Sequence, residues 1–326
     1  MNKNKELPSI TFVVPTLNEE KRIKKCLDSI FLQDYPKDKI KIILIDAGSV
    51  DRTREIAAQY NCKIYFNEKK FAEPGMVLGY KKAKSDYVVF MAADNVISEK
   101  NWLKKIVKPF LYDKKNIYLS FSRVINDPKD NVWSRYLNIN TDPFNAFIYG
   151  NASHPLLFKH QYSIDIERDN FIIYKFNTKE FPLIAFAQCA VLKSGIPRDK
   201  DSEDDDILPV IKIINNSKKI AFVKNTGIYH YSLNGFKDFV SKFKKRIYVS
   251  MKFCNYKKKE RFMGFKRKIR KYFWILYSLS IIFPLITAIK FYIKTKDRAV
   301  FLHPIACFVQ TVLIFYNLLI INIFKK

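Results

Sequence analysis

What the sequence lacks narrows its reading first. Its five cysteines, Cys26, Cys62, Cys189, Cys254 and Cys307, form no C-x-x-C pair and are odd in number. That argues against a disulfide framework or a zinc site and suits a reducing compartment. The opening Met1–Glu6 has no apolar run before a small-residue cleavage site. No secretory signal is therefore expected, and the N-terminal part is expected to stay in the cytosol. No G-x-G-x-x-G follows the first strand: Pro15-Thr16-Leu17-Asn18-Glu19-Glu20 stands there, which disfavours a Rossmann dinucleotide site. A G-x-x-x-x-G-K-[ST] loop is missing too, and no RNA- or DNA-binding motif is visible. Acids are scarce: 31 stand against 58 Lys and Arg, a net charge of +27. Such an excess calls for an anionic partner: nucleic acid, anionic lipid or a phosphorylated substrate. Lys, Ile and Asn abound throughout, so where the cations lie matters more than their total.

What is present is a large core. The chain has 326 residues, 48% of them hydrophobic, which suits one α/β domain plus an appendage. Tyr87–Met91 (YVVFM) reads as a buried strand running into Ala92-Ala93-Asp94-Asn95. Ser9–Pro15, Lys41–Asp46 and Cys62–Phe66 are further apolar strands. Helical spacing lies between them: Asn18–Leu32 with Asn18 as N-cap, Asp51–Tyr60, and Gly75–Lys84. Alternating strands and helices predict βαβ units, a mostly parallel sheet, and strand C-termini on one edge. Asp46 and Asp94 each follow a buried strand, so both are expected on that rim, where open α/β sheets bind ligands. A carboxylate there beside a diphosphate suits Mg²⁺ or Mn²⁺, since hard cations share oxygen ligands with phosphates. An Asx-turn after a strand is the plainer reading of Asp94.

Lys100–Leu111 reads as a helix and Ile117–Ile125 as a strand. Asn126–Glu180 reads equally as an acceptor-binding loop region or as an irregular excursion. Leu183–Leu192 fits either strand or helix. The acidic run Arg198–Asp206 reads as a solvated helix start or as the seat of a general base at a cleft. Thr226–Tyr231 reads as a strand carrying one His, His230, which is either structural or a metal neighbour.

With these pieces placed, the chain resembles glycosyltransferase family 2, whose fold is the GT-A type, from Ile10 to about His230. Val13-Val14-Pro15-Thr16-Leu17-Asn18-Glu19 is similar to that family's first strand and nucleotide loop. Leu44–Thr53 is similar to its D-x-G-S-x-D-x-T turn, Ala92-Ala93-Asp94 stands at its D-x-D, and Glu203-Asp204 at its E-D pair. The resemblance implies an inverting transferase using a nucleotide-sugar donor. Pro15, Thr16, Glu19, Asp46, Gly75, Ala93 and Asp94 would bind that donor, with Asp46 on the base. Asp94 and His230 would serve the metal. Asp204, paired with Glu203, would deprotonate the acceptor hydroxyl. Two departures stand out: Ala92 replaces the first D-x-D carboxylate, and Glu73-Pro74-Gly75-Met76 lacks the basic residue many relatives carry.

The C-terminal third is basic, then apolar. Lys237–Lys271 holds 15 Lys or Arg against two acids, with an apolar stripe through Phe239, Phe243 and Ile247. That pattern fits an in-plane membrane helix or an ordinary helix packed on the catalytic domain. Phe273–Ile289 (17 residues) and Ala299–Phe324 (26 residues) are uncharged, against the roughly 17–25 residues that cross a bilayer. A two-helix hairpin is the economical expectation. The basic link Lys290–Arg298 leaves a re-entrant hairpin open. The expected layout is a catalytic domain over 1–235, a basic interfacial segment over 236–271 and a membrane anchor over 272–326. The expected partners are the donor, a lipid-linked or cell-surface glycan acceptor and anionic membrane lipids, without nucleic acid. The expected location is the cytoplasmic side of the cell membrane.

Overall fold

The β-branched and aromatic runs form strands because their alternating side chains fill both faces of a sheet. β1 (Ile10–Thr16), β2 (Ile40–Asp46), β3 (Lys63–Phe66) and β4 (Tyr87–Met91) all run parallel, with Thr16 level with Asp46 and Asp46 level with Phe66. The computed structural model describes residues 7–184, 186–194, 207–252 and 259–323. These fall into two compact units. Residues Met1–Ile125, Tyr162–Lys175 and Ile184–His230 make the first; Asn126–Gln161, Phe176–Leu183 and Tyr231–Lys326 make the second.

In the first unit, α1 (Ile23–Phe31) buries Ile23, Cys26, Leu27 and Ile30 against the core. α2 (Thr53–Ala58) follows β2, and α3 (Ala72–Lys82) lies on β1 and β2. Gly79 permits that contact: a Cβ there would stand 2.2 Å from Val13 Cγ1. After β4 the chain adds β5 (Asn95–Ile97), α4 (Trp102–Tyr112), β6 (Ile117–Ile125), β7 (Ile164–Glu167), β8 (Phe171–Tyr174), β9 (Gln188–Lys193) and β10 (Lys219–His230). Among the described residues the sheet has ten strands in the order β3-β2-β1-β4-β9-β6-β10-β8-β7, with β5 on β10.

This corrects the mostly parallel expectation. β9 runs antiparallel to both β4 and β6, and β5 and β8 run antiparallel to β10, so the sheet is mixed. Periodicity reports burial and leaves strand direction open. The expected strand Thr226–Tyr231 is, up to His230, the end of one long strand that begins at Lys219. Asn18 does not cap α1. It takes a left-handed φ of 56°, and the helix starts later, after Arg22.

The second unit is helical. Asn126–Glu180, illegible in sequence, supplies it with the helices Val132–Asn140 and Pro143–Tyr149, capped by Asn131 and Asp142. The basic helix Phe236–Lys252 buries Phe239, Phe243 and Ile247 among Trp133, Tyr136, Leu137, Ala306 and Leu313. Its apolar stripe is therefore occupied by protein, within this unit. The uncharged run from Phe273 does not form one helix. It breaks between Trp274–Leu279 and Ile282–Thr295, and the helical segments Phe265–Leu279 and Ile282–Thr295 are bent by 96°. Pro284 is the cause: its ring would strike the carbonyl of Ser280 four residues earlier in a continuous helix. Among the described residues one helix, Arg298–Ile320, is long and apolar enough to cross a membrane; the bent pair would make a second only if its two halves form one span, so the expected two-helix hairpin is not confirmed.

Candidate active site

The C-terminal ends of β1, β2 and β4 lie side by side, which sets Thr16, Asp46 and the Ala92–Asn95 turn along one edge. Strands two apart in this order are separated by about 10 Å. Asp46 is only 2% exposed. Its carboxylate accepts from Gly48 N–H (3.1 Å), Ser49 N–H (3.0 Å) and the Ser49 hydroxyl, and Arg54 Nε lies 3.9 Å away. Those donors stabilise a charge that burial would otherwise penalise.

The same turn grips the loop after β1. Asn18 N–H donates to Ser49 Oγ (2.9 Å), and Asn18 Oδ1 accepts from Val50 N–H (2.9 Å). Glu19 N–H donates to Thr53 Oγ1 (2.7 Å), Glu20 N–H to Asp51 Oδ2 (3.1 Å), and Arg52 N–H returns a bond to Glu20 (3.2 Å). Thr53 donates to Asp51 through both its N–H and its hydroxyl. Burial acts against the Asp51 carboxylate, but the bonds from Thr53 and Glu20 outweigh it and hold its pKa below the ordinary value. Glu19 carries Arg22 at 3.3 Å. Two loops are thus locked into one rigid rim.

Across the edge, Ala92 N–H and Asn95 Nδ2 both donate to the Ala187 carbonyl (2.9 and 2.7 Å), and Asn95 N–H closes the turn on Ala92 O (3.0 Å). β5 then pairs with β10 so that Asn95 faces His230. Asp94 Oδ2 comes to 3.4 Å from His230 Nε2, each side chain 16% exposed. Two buried oxygens, Thr16 Oγ1 and Asn95 Oδ1, have no hydrogen-bond partner among the described residues. An orphaned polar atom at a strand end suits a ligand-binding edge.

The structure thus brings Pro15, Thr16, Glu19, Asp46, Ala93, Asp94 and His230 to the strand ends of one unit. A Cβ on Gly75 would press on Asn67, Ile45 and Pro15 at 3.1–3.5 Å, so α3 lies close against the ends of β1 and β2 there. Glu203 and Asp204 lie outside the described residues. No group of three or more metal-ligating side chains occurs among the described residues. Asp94 and His230 still fit a small divalent cation, because 3.4 Å is compatible with both lying near 2.1 Å from one ion. The rest of such a shell would come from a diphosphate and water, as Mg²⁺ tolerates. Sequence reading assigned no role to Ser49, which stands inside the turn motif, or to Arg54, which directly follows it.

Comparison with known proteins adds the family. Residues 11–172 match the model described as Glycosyl transferase family 2. A Methanococcus voltae relative is 34% identical over 113 residues, covering 32% of this chain and 35% of its own. Its name is dolichyl N-acetyl-alpha-D-glucosaminyl phosphate 3-beta-D-2,3-diacetamido-2,3-dideoxy-beta-D-glucuronosyltransferase. The poly(ribitol-phosphate) beta-N-acetylglucosaminyltransferase TarS of Staphylococcus aureus is 32% identical over 93 residues, 27% of this chain and 16% of TarS. The chain thus spans about a third or less of the length of these curated relatives. A Pyrobaculum calidifontis mannosyltransferase solved with GDP-Man and Mn²⁺ shares the fold: TM-score 0.51, 14% identity, 96% of this chain and 88% of that one.

Proposed function

Because the chain belongs to glycosyltransferase family 2, we propose that it is a membrane-bound inverting glycosyltransferase. It moves a sugar from a nucleotide donor to a lipid-linked or cell-surface glycan acceptor, as a step in building the cell envelope. The carrying observation is the Asp94–His230 pair, 3.4 Å apart on the edge that also holds the locked β1–β2 rim. The names of the curated relatives, with phosphate-linked and polymeric acceptors, support the acceptor class.

In this reading the rim from Thr16 to Glu20 shapes the nucleotide pocket, with Pro15 as its wall. Asp46 keeps Gly48 and Ser49 in place and meets the base from that turn. Ala93 lets the donor approach the β4 edge closely. Asp94 and His230 would hold Mg²⁺ or Mn²⁺, which would supply positive charge against the leaving diphosphate. Asp204, with Glu203, takes the acceptor proton as the oxygen attacks the face opposite the leaving group. Residues 1–235 would carry the chemistry, 236–271 the basic surface and 272–326 the lipid attachment, with catalysis on the cytoplasmic side. Exposed Phe301, Ile305, Phe308, Val312 and Leu319 on the Arg298–Ile320 helix support the membrane reading.

Full-length protein in nanodiscs should release nucleoside diphosphate from one member of a donor panel when Mg²⁺ or Mn²⁺ is supplied. Asp94→Asn should lower that rate by about 10²-fold or more. No turnover with any donor would overturn the assignment. Ala92, standing where the family carries a carboxylate, favours one second reading: a non-catalytic nucleotide-sugar-binding scaffold, seen in calorimetry as metal-independent binding without turnover. Within enzymes, turnover on polyprenyl phosphate that survives Asp204→Ala would instead mark a polyprenyl-phosphate sugar synthase.

A further inference from the structure

We infer that the bent pair around Ser280–Ile281 is a wedge seated in one leaflet of the bilayer, entering and leaving on the same side. This rests on the reading of the chain as membrane-bound. Three observations within the helical unit carry it.

Length comes first. A straight helix over the 17 uncharged residues would reach about 26 Å, near the ~30 Å hydrocarbon core. The observed arms run from Trp274 to Leu279 and from Ile282 toward Lys290, within the two segments bent by 96°. Their apolar parts, about 9 and 12 Å long, then span only ~15 Å end to end, half that core. The bend is built in. Ser280 Oγ accepts from Phe283 N–H (3.2 Å) and donates to Tyr277 O (2.9 Å), Ile281 sits at φ 57°, and Pro284 cannot rejoin the two helices.

Exposure comes second. Leu276, Leu279, Ile281, Ile282 and Phe283 are 51–69% exposed at the bend, so its tip is a bare apolar surface. The faces turned into the protein carry the polar groups instead. Thr311 donates to Ser278 (2.8 Å), Tyr277 donates to Thr287 (2.9 Å), and Gln310 Nε2 donates to Asp142 (3.1 Å). Polar groups inside and apolar groups outside is the arrangement that lipid selects and water rejects.

Charge comes third. Cations flank the tip on both sides: Lys266, Lys268, Arg270 and Lys271 before it, and Lys290, Lys294, Lys296 and Arg298 after it; Arg267 is buried and donates to the Phe181 carbonyl instead. A spanning hairpin would send one basic block across the membrane, against the bias that keeps Lys and Arg of short loops on the cytoplasmic side. A one-leaflet wedge leaves both blocks on the same anionic headgroups. The partner is therefore the acyl region of a single leaflet beneath anionic lipid.

Single cysteines in the full-length chain test this on a Cys62→Ser, Cys254→Ser background; Cys26, Cys189 and Cys307 are buried. Sealed membrane vesicles of both orientations are treated with a membrane-impermeant maleimide. Lys266→Cys and Lys296→Cys are expected to label from the same side, with labelling lost when the reagent is confined to the other. Labelling from opposite sides would overturn the wedge and leave the membrane-bound reading intact. Recovery of the protein in the soluble fraction would overturn both. Lys245→Cys with Arg298→Cys supplies a second pair where a first variant does not fold. Neither readout depends on sugar transfer, so failure of the catalytic reading stays separate.

Discussion

Asp94 was legible as a strand-end carboxylate, and the family resemblance set His230 with it at the metal; local pattern alone left His230 either structural or a metal neighbour. His230 lies 136 positions later and reaches Asp94 only because β5 folds back onto β10. Gly75, which the resemblance sets at the donor, has Ile45 and Pro15 at 3.2 and 3.5 Å from where a Cβ would stand. Gly79 is the sharper case, because Val13 would lie 2.2 Å from an added Cβ. Gly79→Ala should therefore lower stability by about 1–3 kcal/mol, the range of an overpacked core. Denaturant unfolding measures it; an unchanged midpoint would show that α3 shifts freely.

At the scale of elements, the rim between β1 and β2 depends on Asp51 as much as on any ligand contact. Its carboxylate ties Glu20 and Thr53, which in turn ties Glu19. Asp51→Ala should cost about 1–2 kcal/mol, the size of a lost capping bond to a charged acceptor. Because the folded pKa is depressed below the unfolded one, the contribution is fully present above the unfolded value. It disappears as pH falls through the folded value. Wild type and Asp51→Ala should therefore converge in stability on acidification below about pH 4, in thermal melts across pH. The turn motif was legible here, because Ser, Asp and Thr at short spacing bond nearby backbone. That its bonds would go to the neighbouring loop was not, since only strand pairing brings Asn18 within reach of Ser49.

For the whole molecule, the charge excess and the exposed apolar surface make different demands on the solvent. Cations at a membrane surface act through a screened potential, whereas apolar insertion does not. Binding of the full-length protein to vesicles containing anionic lipid should weaken from 0.1 to 0.5 M NaCl without being abolished. Sedimentation with neutral and anionic vesicles reads both parts. Complete release by salt would leave the exposed residues at Leu276–Phe283 unexplained.

Local patterns in the sequence determined the strands β1, β2, β4 and β6, the turn after β2 and the basic-to-apolar character of the C-terminal third. Each follows from side-chain size, branching and charge over a few neighbouring residues. Only the tertiary structure decided the direction of β9, the meeting of Asp94 with His230, the burial of the Phe239–Phe243 stripe and the break before Pro284. Those depend on which distant segments share a surface. A one-dimensional pattern carries the tendency to be buried and leaves open what does the burying.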